Sequence, residues 1–183
     1  MSFVLLGILN SQAAGAAGAG AYDLLETQTL ASSAASVTFT GLDSYTDYKH
    51  LQIRGVARTD RASSGGDVMK ITFNSITSSD YAWHYLRSGV TSNAGTSQTG
   101  INANQSNSAG DTSNTFGAFV TDILDFASSS KNTTLKSLSG TSSVIELSSG
   151  LLNNTASITS INLDVLIGTN FVSGSRFSLY GVK

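Results

Sequence analysis

The sequence predicts an all-β protein: an antiparallel two-sheet sandwich, jelly-roll-like, preceded by an extended N-terminal arm. Three observations predict it. Apolar residues recur at every second position in several separate stretches, the period of a strand with one buried face. Clusters of Ser, Gly, Asn and Asp, which carry turn chemistry, separate those stretches. Ser and Thr supply 51 of the 183 residues, Pro and Cys are absent, and charged residues are only 12%, against roughly 25% in an ordinary soluble domain.

The chain divides into an Ala/Gly-rich arm over residues 1–21 and a β-sandwich domain over residues 22–183. In the arm, the apolar run Phe3, Val4, Leu5, Leu6, Gly7, Ile8, Leu9 leads into a stretch of Ala and Gly that ends at Ala21. No Lys or Arg precedes Phe3, the first basic residue being Lys49, so the charged start of a signal peptide is missing. The run is also too short to span a bilayer. An assembly arm, held by neighbouring subunits, is the expected role, with Phe3, Val4, Leu5, Leu6, Ile8 and Leu9 as its contacts.

From Tyr22 onward the period-two signal takes over. Val37 and Phe39 alternate with Thr38 and Thr40, and Gly41 ends the run. Leu51 and Ile53 alternate with His50, Gln52 and Arg54; the phase then changes from Gly55 to Val56, which predicts a bulge. Met69, Ile71 and Phe73 form a third set, and Ile161, Leu163, Val165 and Ile167 a fourth. Phe177 and Leu179 alternate with Arg176, Ser178 and Tyr180. Less regular runs at 116–126, 134–140 and 143–148 read as further strands. The only candidate for a short helix is Ser78–Leu86. The span Ser88–Asn114, nearly all Ser, Thr, Asn, Gly and Gln, reads as a long loop of a kind that is uncommon unless functional or packed on a partner. Eight to ten strands without intervening helices argue a sandwich, of which the jelly roll is the commonest at this size.

Few residues carry chemistry. The two histidines, His50 and His84, are too few for a histidine-rich metal site. Pairing with Asp47 or Asp80 would make part of a catalytic set, but a polar strand residue in a surface network is the favoured reading. Asp43 and Asp47 fall short of the ligand count of a calcium loop. Gly18-Ala19-Gly20 starts a dinucleotide fingerprint that fails at Asp23 and follows no strand. The expectation is therefore a non-enzyme with no cofactor and no metal. A net charge of −2 and a pI near 5.5 offer no basic field for nucleic acid. Tyr81, Trp83 and Tyr85 share one face if extended. They serve either as a sugar-stacking platform or as packing in the core or at a subunit contact.

Two groups of segments together carry a family likeness. One is Tyr22-Asp23-Leu24-Leu25-Glu26-Thr27 with Ser36-Val37-Thr38-Phe39-Thr40 and Tyr48-Lys49-His50-Leu51-Gln52-Ile53-Arg54. The other is Ile158-Thr159-Ser160-Ile161-Asn162-Leu163 with the C-terminal Gly174–Lys183. These resemble small β-sandwich virion structural proteins of tailed phages, of the cyanophage and marine phage type. The resemblance implies a capsid decoration (cement) protein that stabilises the head shell, a homotrimer bound to the major capsid protein or other virion proteins. The alternative it leaves is a tail or fibre appendage that binds host surface glycans through Tyr81, Trp83 and Tyr85. Either would be assembled in the host cytoplasm and located in the virion, with no membrane and no nucleic acid as partner.

Overall fold

The structure is a computed structural model that describes residues 20–89 and 92–183. The expected arm contacts Phe3, Val4, Leu5, Leu6, Ile8 and Leu9 lie outside the described residues. Twelve strands follow one another: β1 (Tyr22–Thr29), β2 (Ser36–Thr40), β3 (His50–Thr59), β4 (Gly66–Phe73), β5 (Tyr81–Arg87), β6 (Asn93–Gln98), β7 (Ile101–Ser108), β8 (Gly117–Leu124), β9 (Thr133–Gly140), β10 (Ile145–Leu152), β11 (Ser160–Val165) and β12 (Arg176–Val182). Among the described residues there is no α-helix, only a 3-10 turn at Leu42–Ser44.

The strands form one large hydrogen-bonded sheet in the order β2-β11-β4-β7-β3-β8-β9-β10-β5-β6, with β12 pairing β3 and β1 pairing β12. β3 joins its two parts. Leu51 to Ala57 pair antiparallel with β8, whereas Arg58 and Thr59 pair in parallel with Asn107 and Ser108 of β7. All the other strand pairs are antiparallel.

The alternating residues behave as their period requires. Phe39, Ile161 and Phe73 lie side by side across β2, β11 and β4, as do Val37, Leu163 and Ile71, and all six are buried. In the other part, Leu51, Ile123 and Leu135 make a buried row across β3, β8 and β9. Cross-strand apolar pairs of this kind are the unit of sheet stability. At the end of β4, Asn74 and Ser75 take positive φ, a conformation that Asn tolerates better than most residues. Asn74 Oδ1 accepts from Thr159 N–H at 2.7 Å and Asn74 Nδ2 donates to Ser157 O at 2.9 Å, tying this turn to the start of β11.

Four expectations are corrected. Ser78–Leu86 contains no helix; Tyr81–Arg87 is strand β5, as its aromatic content favours. Ser88–Asn114 is no long loop, because it contains β6 and β7. Gly55 carries no bulge: β3 keeps continuous register with both β12 and β8 through this position. Instead Gly55 lies between Phe177 and Phe119, whose rings are 5.9 Å apart. A Cβ there would sit 2.5 Å from Phe119 Cζ and 2.7 Å from Arg176 O, so the missing side chain makes room for a neighbour's ring. Finally, β11 ends at Val165, and Ile167 is exposed beyond it.

Candidate functional site

Strand β10 has its polarity reversed. Glu146 and Ser148 are buried, whereas Ile145 and Leu147, on the opposite face, are 64% and 52% exposed. Leu147 is flanked by Leu138 of β9 and Leu86 of β5, which are 50% and 60% exposed. Val120 of β8 continues the line beyond Leu138. The result is an outward apolar row crossing four adjacent strands, with Ile145 beside it. Scattered exposed apolar residues are ordinary, but a contiguous patch marks a contact surface.

Beneath the row the interior is polar, because β7 presents amides and hydroxyls to β8, β9 and β10. Asn104, Gln105, Ser106, Asn107 and Ser108 are all buried. The Asn104 amide donates to Thr121 Oγ1 at 2.7 Å, and Gln105 N–H donates to Ser139 Oγ at 2.8 Å. Glu146 accepts from Arg87 Nη2 at 2.6 Å, from Ser148 Oγ at 2.8 Å and from the Gln105 amide at 3.1 Å. Buried polar atoms need such partners, so this layer fixes β7 over β8–β10 by directional bonds. The apolar residues that would ordinarily occupy it stand on the outer face.

Next to the row runs a line of polar contacts on the same face. Arg54 pairs with Val120 across β3 and β8, and its guanidinium lies 4.7 Å from the Tyr22 ring centre and 4.6 Å from that of Tyr180. Arg54 Nε donates to Gln52 Oε1 and Gln52 Nε2 donates to Asp122 Oδ1, both at 2.5 Å, and Lys136 Nζ stands 3.5 Å from Asp122 Oδ2. The same line continues through Ser149 and His84, where an open groove of about 680 Å³ lies along Leu86, Leu147, Lys136, His84, Ser149 and Ala94. The face is thus an apolar band with a polar flank on one side and Val56, Ala118, Gly140 and Ile145 on the other.

The aromatic trio faces the other way. Tyr81 and Trp83 are buried, and the Tyr81 hydroxyl accepts from Phe73 N–H at 3.0 Å and donates to Ile76 O at 3.2 Å. Trp83 and Tyr85 stack at 5.6 Å with an interplanar angle of 6°, and the Arg87 guanidinium is 4.4 Å from the Tyr85 ring centre. Tyr81 and Trp83 therefore present no open ring face to a sugar, whereas Tyr85 is half-buried. His50 and His84 do not meet: His50 Nδ1 accepts from Asp125 N–H at 2.9 Å, whereas His84 is exposed on the outer face.

Leu86, Leu138, Ile145 and Leu147 escape a reading that assigns alternating apolar residues to the core. The available signal is the phase itself: Ile145-Glu146-Leu147-Ser148 alternates cleanly, and only the position of its partners shows which face is inside.

Four carboxylates pin surface loops and chain ends. Lys183 at 2.8 Å and Tyr48 hold Asp23 below the usual carboxylate range. The Ser142 hydroxyl, Thr112 N–H and the Asn107 amide do the same for Asp111, and Lys131 for Asp125. Burial pushes Asp60 up, but Thr169 N–H, Asn170 N–H and the Asn170 amide outweigh it and hold the group low. A lowered folded-state value gives stability that is full above the unfolded value of about 3.9 and is lost as pH falls through the folded one. Thermal melts should therefore be nearly flat from about pH 7 to 5 and fall steeply below about pH 4. Asp60→Asn should make that acid slope shallower; an unchanged slope would remove Asp60 from the account.

No family model and no curated protein matches the chain. Among solved structures, a protein of unknown function from Shewanella oneidensis aligns over 88% of this chain and 76% of its own, at 10% identity and a TM-score of 0.25.

Proposed function

We propose that the chain is a structural subunit of a tailed-phage virion, a capsid decoration protein that stabilises the head shell and is a homotrimer in solution. The observation that supports this reading is the reversed polarity of β10. A strand with Glu146 and Ser148 inside and Ile145 and Leu147 outside suits a protein whose outer face is covered in its working state. The low charge and the resemblance of Tyr22–Thr27, Ser36–Thr40, Tyr48–Arg54, Ile158–Leu163 and Gly174–Lys183 to virion proteins agree with it. In this reading the β2-β11-β4-β7 part folds over the rest as the second sheet of a jelly-roll-like sandwich. Support comes from the Asn104 and Gln105 side-chain amides and the Gln105 backbone N–H of β7, which donate to inward residues of β8, β10 and β9.

Quantitative mass spectrometry of purified virions tests the role. A decoration protein is expected in hundreds of copies per particle, whereas a few copies or a few dozen would indicate a tail appendage. Light scattering coupled to size exclusion tests the oligomer, which should have three times the chain mass of 18.9 kDa. A monomer at micromolar concentration would count against the trimer.

A further inference from the structure

We propose that the N-terminal segment Phe3–Leu9 seats on the outward apolar row of its own chain, covering Leu86, Leu138, Ile145 and Leu147. The proposal concerns the free chain and does not depend on the virion reading. It rests on three observations about the row, the entry point of the chain and the length of the connection.

The row is contiguous across β8, β9, β10 and β5, with Val120 half-buried and Leu138, Leu147 and Leu86 exposed. Phe3, Val4, Leu5, Leu6, Ile8 and Leu9 are apolar with a single Gly among them, so the segment matches the chemistry of a row that no other described residue covers. Covering apolar surface with apolar side chains is favourable in proportion to the area removed from water.

The described chain enters the domain on the correct face. The Tyr22 ring lies against Arg54, and Arg54 shares a cross-strand line with Val120, Leu138, Leu147 and Leu86. Residues immediately before Tyr22 therefore leave from the edge strand of the sheet that carries the row.

The connection is long enough. Asp23, Gly181, Leu51, Ile123, Leu135 and Gly150 are successive partners from β1 to β10. These are five strand spacings, about 24 Å, and Leu147 lies three residues further along, about 10 Å, so the diagonal is about 26 Å. Twelve residues, 10–21, can span about 40 Å at most. The required distance is shorter than that, so the length of the connection lets the segment reach its own row without unfolding β1.

The chain has no cysteine, which makes disulfide trapping in the full-length protein unambiguous. Gly7→Cys with Ser149→Cys places one thiol within the segment and one on the outer face beside the row, and removes no apolar side chain. Gly7→Cys with Thr40→Cys, on β2 at the far end of the strand order, is the control. The first pair is expected to close at least about tenfold faster under mild oxidation, at a rate independent of protein concentration, as an intramolecular product. Adding Leu147→Asp to that pair should reduce its rate to that of the control. Equal rates for the two pairs, or no effect of Leu147→Asp, would overturn the seat. Predominance of disulfide-linked dimers would overturn it in favour of a second copy as the occupant.

Discussion

Phe177→Ala is expected to cost about 3–5 kcal/mol of folding stability, among the largest effects of any single truncation in the domain. The ring is fully buried at the junction of three strands. It meets Phe171 edge-on at 5.0 Å and Phe119 at 5.9 Å, and it lies beside Gly55, which has no side chain to fill the space left behind. The neighbours are held in a sheet and cannot collapse freely, so most of the cavity persists. Ser178, one residue on, is also largely buried, but its hydroxyl is shared with Thr27 at 2.9 Å. Ser178→Ala should cost only about 0.5–1.5 kcal/mol, the net worth of one hydrogen bond. Urea denaturation of the two variants decides the matter. Similar costs would mean that the ring is not the keystone of this corner.

The sequence signals were strongest where polarity is conventional. Val37, Phe39, Leu51, Ile53, Met69, Ile71, Phe73, Ile161, Leu163, Phe177 and Leu179 are all buried, as their alternation predicts. Legibility fails where the inside is polar. Ile101–Ser108 is a strand whose Asn104 to Ser108 are buried, yet side chains of that kind, met in a sequence, signal a turn or loop. Burial is made affordable by partners on other elements. Thr121, Ser139 and Glu146 on β8, β9 and β10 serve Asn104 and Gln105. Asp67 O on β4 serves Ser106, and the loop residues Ser142 and Ser64 serve Asn107 and Ser108. The outward row is hidden for the same reason: the alternation in Ile145–Ser148 is plain, but period two defines two faces and not which of them is covered. Tyr81–Arg87 was ambiguous between helix and strand because a short apolar run satisfies either period. Gly55 is not legible from sequence because a glycine within a strand has two common causes, a bulge and a close approach, and the ring of Phe119 that decides between them is 64 residues away in the sequence.

The second large effect is expected at the ion pair beneath the row. The Glu146 side chain is fully enclosed, and Arg87, itself 21% exposed, approaches it at 2.6 Å. Arg87→Met keeps most of the apolar stem but leaves a buried carboxylate with only the Gln105 amide and the Ser148 hydroxyl as donors. Breaking one side of a buried pair typically costs about 3–5 kcal/mol, because the remaining charge is stranded in low dielectric. The partial exposure of Arg87 and the two neutral donors place this site near the lower end of that range. Removing both charges is a different matter, since a pair that has already been desolvated contributes little net stability against an apolar replacement. Arg87→Met combined with Glu146→Leu should therefore be more stable than Arg87→Met alone, losing the bonds from Gln105 and Ser148 but no longer stranding a charge. Chemical denaturation of the two singles and the double gives the coupling directly. A cost below about 1 kcal/mol for Arg87→Met would show that Gln105 and Ser148 suffice to hold the carboxylate. A double variant less stable than Arg87→Met would show instead that Glu146 organises β5, β7 and β10 through its neutral donors and not through the charge of Arg87.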